Sequence, residues 1–158
     1  MEDAPALAEG ANNRKIWLNL RDRMSHPYSL ADAETYLNRV TKDENARVAC
    51  IEIDGKAAGG IGLHPGEDVH RRTAELGYWL AESYWGRGIA TAAVRAFVEY
   101  GFANIPLDRI YASAYAHNSA SVRVLEKAGF QFEGRMRKNV IKDGVVLDSL
   151  LYAIVRED

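Results

Sequence analysis

The sequence contains a single cysteine, Cys50, so a disulfide framework and a thiolate metal site within one chain are both excluded. Cys50 stands among apolar neighbours, and we expect it to be a small buried hydrophobe. The four histidines show no spacing of the His-x-x-x-His type, which favours surface or loop positions. No metal site is therefore expected.

A surplus of positive charge and a long hydrophobic run are also missing. The 20 basic and 22 acidic residues are interspersed and give a net charge of −2, unlike the clustered basic footprint of proteins that bind a phosphate backbone. The apolar stretch from Val145 to Val155 is short and is interrupted by Asp148, and the acidic N-terminus has no apolar signal segment. We expect a cytoplasmic protein that binds neither nucleic acid nor membranes.

The 158 residues, 47% of them hydrophobic, predict a single domain over residues 1–158. Its first part is predicted to be helical. One helix is expected over residues 3–22, with a break near Gly10. Ser29 and Asp32 form a capping-box pattern that predicts a second helix, which extends to about Asp43.

The rest of the chain predicts strands joined by turns and by two helices. The type I′ turn signal Asp54-Gly55 indicates a hairpin, and apolar residues at helical spacing from Ala90 to Gly101 indicate a long helix. The predicted segments are strands over Ala46–Ile53, Ala57–Leu63, Thr73–Leu80 and Arg109–Tyr115, a helix from Asn118 or Ser119 through Ala128, and a hairpin of Phe130–Val140 with Val145–Arg156. This order predicts an α+β fold with a mixed sheet, in which a parallel crossover begins within residues 73–102.

The loop between the third strand and the long helix has the features of an anion site. Free backbone N–H groups and the positive end of the helix dipole attract phosphate oxygens at such a junction. Gly86 and Gly88 let the backbone approach a ligand closely, while Arg87 adds a charge and Thr91 a hydroxyl. A tight connection without a ligand is the alternative reading of the two glycines.

The segment Trp85-Gly86-Arg87-Gly88-Ile89-Ala90 resembles the pyrophosphate motif of the GNAT superfamily of N-acetyltransferases, Gln/Arg-x-x-Gly-x-Gly/Ala, at Gly88 and Ala90. Trp85 departs from the leading residue of that motif. The run Gly77-Tyr78-Trp79-Leu80 and the blocks Asn118-Ser119-Ala120-Ser121 and Lys127-Ala128-Gly129-Phe130 resemble its RimJ/RimL branch. The likeness extends over nearly the whole chain.

The resemblance implies a mostly antiparallel central sheet that is flanked by helices and splayed between the strands at residues 75–80 and 109–115. Members of the family usually begin with a strand before the first helix, whereas this sequence starts in residues that resemble the helix itself. We therefore expect the first family strand to be missing. The strand at Ala46–Ile53 would then be an exposed edge, which makes it a candidate surface for a homodimer.

The resemblance also implies that acetyl-CoA is the co-substrate and that an amine is the acceptor. The pantetheine arm would lie in the splay between the two strands. The residues expected to bind the cofactor are Trp79, Leu80, Trp85, Gly86, Arg87, Gly88, Ile89, Ala90, Thr91, Asn118 and Ser121. Asn118 is equally suited to capping the helix that it begins.

The same resemblance implies three candidate residues for the chemistry, and it alone suggests that Tyr28 contacts the acceptor. The N–H of Leu80 would stabilise the oxyanion, and the hydroxyl of Ser121 would donate a proton to the departing thiolate. The carboxylate of Glu75 would act as the base if burial raised its pKa. A helix-bonding role for Ser121 and a solvated position for Glu75 are the alternatives.

The expected function is therefore acetyl transfer to a primary amine, most simply the α-amine of a protein N-terminus of the ribosomal-protein type. Alternatives are a small-molecule amine acceptor, such as a polyamine, an antibiotic or an amino acid, and a CoA- or nucleotide-binding module without chemistry. A dinucleotide oxidoreductase is disfavoured, because Thr91 replaces the third glycine of the Rossmann fingerprint and Asp108 precedes the next strand instead of ending it.

Overall fold

The computed structural model describes residues 2–43 and 47–157, which form a six-stranded sheet with helices packed on both of its faces. The helices are α1 (Ala4–Ala11), α2 (Arg14–Trp17), α3 (Leu30–Lys42), α4 (Ile89–Asn104) and α5 (Ser119–Lys127). The strands are β1 (Arg47–Ile53), β2 (Lys56–Pro65), β3 (Thr73–Leu80), β4 (Arg109–Tyr115), β5 (Gln131–Lys142) and β6 (Val145–Val155). Ala46, the predicted first residue of β1, lies outside the described residues.

The single N-terminal helix predicted over residues 3–22 is wrong, because the chain forms two shorter helices there. Asn13 has an extended backbone, and its side chain accepts the Lys15 N–H at 2.9 Å, which begins α2 afresh. The break therefore lies at Asn12 and Asn13, not at Gly10, which stays within α1. A Cβ atom at Gly10 would lie 3.1 Å from Cβ of Ala81, so glycine here permits close packing against the sheet.

Helix α3 begins as the capping-box pattern predicts. The Ser29 side chain accepts the Asp32 N–H at 3.2 Å, and the Asp32 carboxylate accepts the Ser29 N–H at 2.8 Å. Strand β5, by contrast, continues past its predicted end at Val140. Its register is irregular between Met136 and Val140, but pairing with β6 resumes at Val140, opposite Leu147, and continues through Lys142 to the hairpin turn.

The strand order is β1-β2-β3-β4-β6-β5, and every neighbouring pair is antiparallel except β3 with β4. The parallel pairing of β3 with β4 ends at Glu75 opposite Tyr111. The last five residues of β3 and the last four of β4 have no partner in each other. This divergence is the splay that the family resemblance predicted.

Residues of β3 alternate between two apolar clusters on opposite faces of the sheet. Leu76 and Leu80 are buried in the main core together with Val94 of α4 and Leu125 of α5. Trp79 packs on the other face, against the smaller cluster that α1 and α3 form with β2. The sheet is therefore covered on both faces, and the splay lies between the two layers of helices.

Cys50 is exposed, contrary to the prediction that it is buried. It lies on β1, which forms one edge of the described sheet, and there side chains alternate between the core and solvent. Ile51 takes the buried position next to it. Burial raises the pKa of the Cys50 thiol nevertheless, because part of the side chain is shielded.

Within residues 2–43 and 47–157, no helix has the length and apolar character needed to cross a membrane. No three His, Cys, Asp or Glu side chains in these ranges lie close enough together to hold a metal ion.

Candidate active site

A cleft of about 1490 Å³ passes through the splay and is lined by residues from both faces of β3. On the α4 and α5 side, its lining includes the loop before α4 and the first turn of α5. On the other side, it is lined by α3 and by the loop that precedes α3. Two ligands that enter from opposite faces can therefore meet at the splay.

The loop before α4 presents bare peptide N–H groups to the cleft. Gly88 is the N-cap residue with a φ of 75° and offers no side chain to the helix end, so the amides of the first turn, Ile89 to Thr91, have no capping acceptor in the described part of the chain. A Cβ atom at Gly86 or Gly88 would meet nothing within 4 Å, so the space in front of the loop is open. This geometry fits a pyrophosphate.

The positive charges near this loop come from the loop itself and from α5. Arg87 is not among the residues that line the cleft, and its guanidinium carbon lies 5.7 Å from the centre of the Tyr84 ring. Arg123 and Lys127 of α5 do line the cleft and supply positive charge on its α5 side. Thr91, Ile89 and Ala90, which the sequence predicts to bind the cofactor, also line the cleft.

The backbone of β3 offers hydrogen-bond donors to the splay. The Ala81 N–H donates to the Ala58 carbonyl at 2.8 Å, so Ala81 and Trp79 direct their peptide groups towards β2. Tyr78 and Leu80 therefore direct theirs the other way, into the splay. The Leu80 carbonyl accepts the Trp85 indole N–H at 2.7 Å, which leaves the Leu80 N–H facing the splay.

Alternation along β3 also places the side chains of Leu80 and Trp79 on opposite faces of the sheet. The Leu80 N–H is placed where an oxyanion donor is needed. The Trp79 ring packs over Gly60 of β2 on the face that α1 and α3 cover, which we call the acceptor side. Trp79 lines the cleft on that side.

The start of α5 brings two hydroxyl groups together. The Asn118 side chain accepts the Ser121 N–H at 3.2 Å and so caps the helix, which leaves its amide nitrogen for a ligand. The Ser121 Oγ lies 2.7 Å from the Tyr78 hydroxyl. Burial raises the pKa of Tyr78 to about 12, so this phenol is protonated throughout the neutral range. The sequence analysis did not identify Tyr78 as a site residue.

Glu75 lies on the acceptor side of β3 and forms an ion pair with Arg21 from the loop before α3. Its side chain is 21% exposed, so it is shielded by its surroundings without being buried. His64 is directly opposite Glu75 in the pairing of β2 with β3. Burial lowers the pKa of His64, and the nearby charge of Arg23 lowers it further, so this imidazole is neutral at pH 7.

Tyr28 also lies on the acceptor side, where it lines the cleft and packs against the cluster of α1 and α3. Its N–H donates to the Asn12 side chain at 3.0 Å, which fixes the loop to the end of α1. Burial raises the pKa of the Tyr28 phenol. The structure therefore brings Tyr28, Glu75 and His64 to one side of the splay, and Ser121, Asn118 and the anion loop to the other.

The comparisons with known proteins agree with this geometry. Residues 1–131 match the family model described as an acetyltransferase (GNAT) domain. The chain is 32% identical over 168 aligned positions to the putative ribosomal N-acetyltransferase YdaF of Bacillus subtilis, covering 99% of this chain and 88% of that protein. It is also 27% identical to the spermidine N(1)-acetyltransferase of Escherichia coli K12, covering 90% of this chain and 75% of that protein.

Among solved structures, Mycobacterium smegmatis RimJ in complex with CoA-disulfide superposes with a TM-score of 0.85 at 28% identity, covering 98% of this chain and 78% of that one. The fold, the cleft and the sequence matches together define an acyltransferase. The chain belongs to the GNAT family of acetyltransferases, and acetyl-CoA is its co-substrate.

Proposed function

We propose that the chain transfers the acetyl group of acetyl-CoA to the α-amine of a peptide or protein N-terminus. The observation that carries the proposal is the separation of β3 from β4 beyond Glu75. Because of this separation, the Leu80 N–H faces a cleft that is lined by residues from both faces of the sheet. A thioester that lies along this gap is accessible to an amine from the opposite face.

The donor side fits the two polar parts of acetyl-CoA. The first-turn amides of α4 would bind the pyrophosphate, and the free amide nitrogen of Asn118 would bind the pantetheine arm. The outward peptide groups of Tyr78 would pair with the same arm, since they have no strand partner on that side among the described residues.

The proposed reaction uses one group for each charge that develops. The amine nitrogen attacks the thioester carbon, and the Leu80 N–H donates to the oxyanion that forms. The nitrogen gives up its proton to the carboxylate of Glu75, directly or through a water molecule. As the carbon–sulfur bond breaks, the Ser121 hydroxyl donates its proton to the thiolate, and solvent in the open cleft restores it.

The free energy needed to deprotonate the acceptor favours an α-amine over a lysine side chain. Only a neutral amine attacks a thioester, and an α-amine of pKa about 7.8 requires roughly 1 kcal/mol for deprotonation at pH 7. A lysine amine of pKa about 10.4 requires roughly 4.6 kcal/mol. Glu75 forms an ion pair with Arg21, and the α-amine is the acceptor that requires less of this carboxylate.

The charge of the acceptor side argues against a polyamine. The charges of Arg23, Arg21 and Arg39 all lower the pKa of His64 on this side of the cleft, with Glu75 opposing them. A positive potential at this position repels a substrate that carries several ammonium groups. A peptide whose only positive charge is the reacting amine carries a smaller penalty.

The test is acetyl-CoA turnover, measured as thiol release, against a panel of acceptors. It contains peptides with a free N-terminus, N-terminally blocked lysine peptides, spermidine, an aminoglycoside and free amino acids. The expected result is the highest kcat/KM with free-N-terminus peptides. Equal or faster turnover of blocked lysine peptides or spermidine would contradict the proposal, and a blocked peptide without lysine serves as the negative control.

A further inference from the structure

Gly77 is an exposed glycine near the middle of β3, and β3 lies inside the six-stranded sheet. Glycine weakens the interior of a strand, and it often marks a place where a ligand approaches closely. The helices of the acceptor side cover Trp79 but leave Gly77 open to the cleft. The absence of a side chain at residue 77 must therefore be explained by the fold or by a ligand.

The fold itself does not require glycine at this position. A Cβ atom at Gly77 would meet only Nε2 of His64, at 4.0 Å, which is an ordinary contact, and the backbone has no positive φ there. Gly62, its partner on β2, is different, because a Cβ atom there would lie 3.3 Å from Cγ2 of Val48. Packing explains Gly62, whereas nothing in the packing explains Gly77.

The position of Gly77 relates it to the acceptor. Alternation along β3 places it on the same face as Glu75 and Trp79, between the proposed base and the indole. Its neighbour Tyr78 directs its peptide groups into the splay. An amine that moves from Glu75 towards a thioester in the splay therefore passes over the bare Cα of Gly77.

We propose that Gly77 is a specificity-determining residue, which leaves room for the substituents on the carbon next to the attacking nitrogen. This inference rests on the proposed α-amine acceptor. The α-carbon of a peptide N-terminus is branched, since it bears both a side chain and a carbonyl group. A lysine or polyamine nitrogen is carried by an unbranched methylene group, which needs less space.

The test compares peptides that differ only in their first residue, glycine, alanine or valine, with the wild type and with the variants Gly77→Ala and Gly77→Val. A glycine N-terminus is an α-amine on an unbranched carbon, so it separates amine type from shape. Gly77→Val is expected to lower kcat/KM for the valine peptide relative to the glycine peptide by roughly tenfold to a hundredfold, with a smaller effect for Gly77→Ala. The KM for acetyl-CoA and the melting temperature are expected to be maintained.

Gly134 of β5 provides the matched control. A Cβ atom there would meet nothing within 4 Å, and Gly134 does not line the cleft, so Gly134→Val should leave the peptide ratio unchanged. If the wild type acetylates alanine and valine peptides but Gly77→Val keeps the same ratio, this inference alone is overturned. If the wild type acetylates only unbranched amines that are not α-amines, the acceptor proposal and this inference fail together.

Discussion

The hydroxyl oxygens of Tyr78 and Ser121 lie 2.7 Å apart, which joins β3 to the first turn of α5 at the edge of the splay. The high pKa of Tyr78, about 12, keeps its phenol protonated and able to donate. If Tyr78 donates to Ser121 Oγ, the single hydroxyl hydrogen of Ser121 is directed elsewhere. That hydrogen is then available for the sulfur of the departing CoA.

Tyr78→Phe should therefore impair catalysis through Ser121. We expect Ser121→Ala to lower kcat with little change in the KM for acetyl-CoA, and Tyr78→Phe to lower kcat by about tenfold. The double variant should be no slower than Ser121→Ala, because both changes remove one shared function. Steady-state kinetics of the three variants measure this, with Ser119→Ala as the control on the exposed face of the same helix. Strictly additive losses would contradict a positioning role for Tyr78.

Tyr78 should also make the free energy of unfolding depend on pH in the alkaline range. Burial raises its pKa from 10.0 in the unfolded chain to about 12 in the native state, so between these pH values only the unfolded state releases the proton. This contribution to stability is complete below pH 10 and is lost as the pH rises through 12. From pH 10 to 12, the wild type should lose about 2 to 3 kcal/mol more unfolding free energy than Tyr78→Phe. Denaturant titrations of both proteins at several pH values measure the difference, and parallel curves would refute the assignment.

The anion loop can be tested by filling its open space with a negative charge. Gly88→Glu should abolish acetyl-CoA binding while the fold persists, because a carboxylate would stand where phosphate oxygens require bare N–H groups. Its positive φ also strains any side chain, so the control must share that strain. Gly144 has the same φ of 75° in the β5–β6 turn and open space around it, so Gly144→Glu should bind normally. Calorimetry with both variants decides the matter, since undiminished affinity in folded Gly88→Glu would remove the assignment.

The sequence predicted those parts of the fold that depend on local patterns. The bounds of β3 and β4 were predicted correctly, because alternating side chains and clear turns define them. The break between α1 and α2 was predicted at the wrong residue. A glycine, Gly10, was expected to end the helix, whereas the capping side chain of Asn13 determines where α2 begins. Cys50 was misjudged because its apolar neighbours were weighed above the alternation of side chains along β1, which buries Ile51 and exposes Cys50.

The site was predictable where it consists of backbone, and less so where side chains meet across the sheet. The loop from Gly86 to Thr91 follows from its glycines and the helix that it begins. Tyr78 lies in the Gly77–Leu80 run that resembles the family. Because side chains alternate along a strand, Tyr78 is predicted to share a face with Leu80. Its contact with Ser121, however, depends on how α5 packs, and the ion pair of Glu75 depends on a loop more than 50 residues away. Neither is encoded in a local pattern.

The role of Glu75 gives the last prediction, which concerns the pH dependence of the rate. Glu75→Gln should reduce kcat/KM most at low pH, where the α-amine is an ammonium and needs a base. As the pH rises past the amine pKa of about 7.8, the neutral amine forms without assistance and the defect should shrink. The substitution keeps the shape of the side chain but also removes the ion pair with Arg21, so the variant Arg21→Gln is measured beside it. Arg21→Gln retains the carboxylate and is expected to show a smaller defect that does not shrink with pH. If Glu75→Gln gives a defect of the same size at every pH, the carboxylate positions the loop through Arg21, and neutral His64 opposite it becomes the next residue to test as the base.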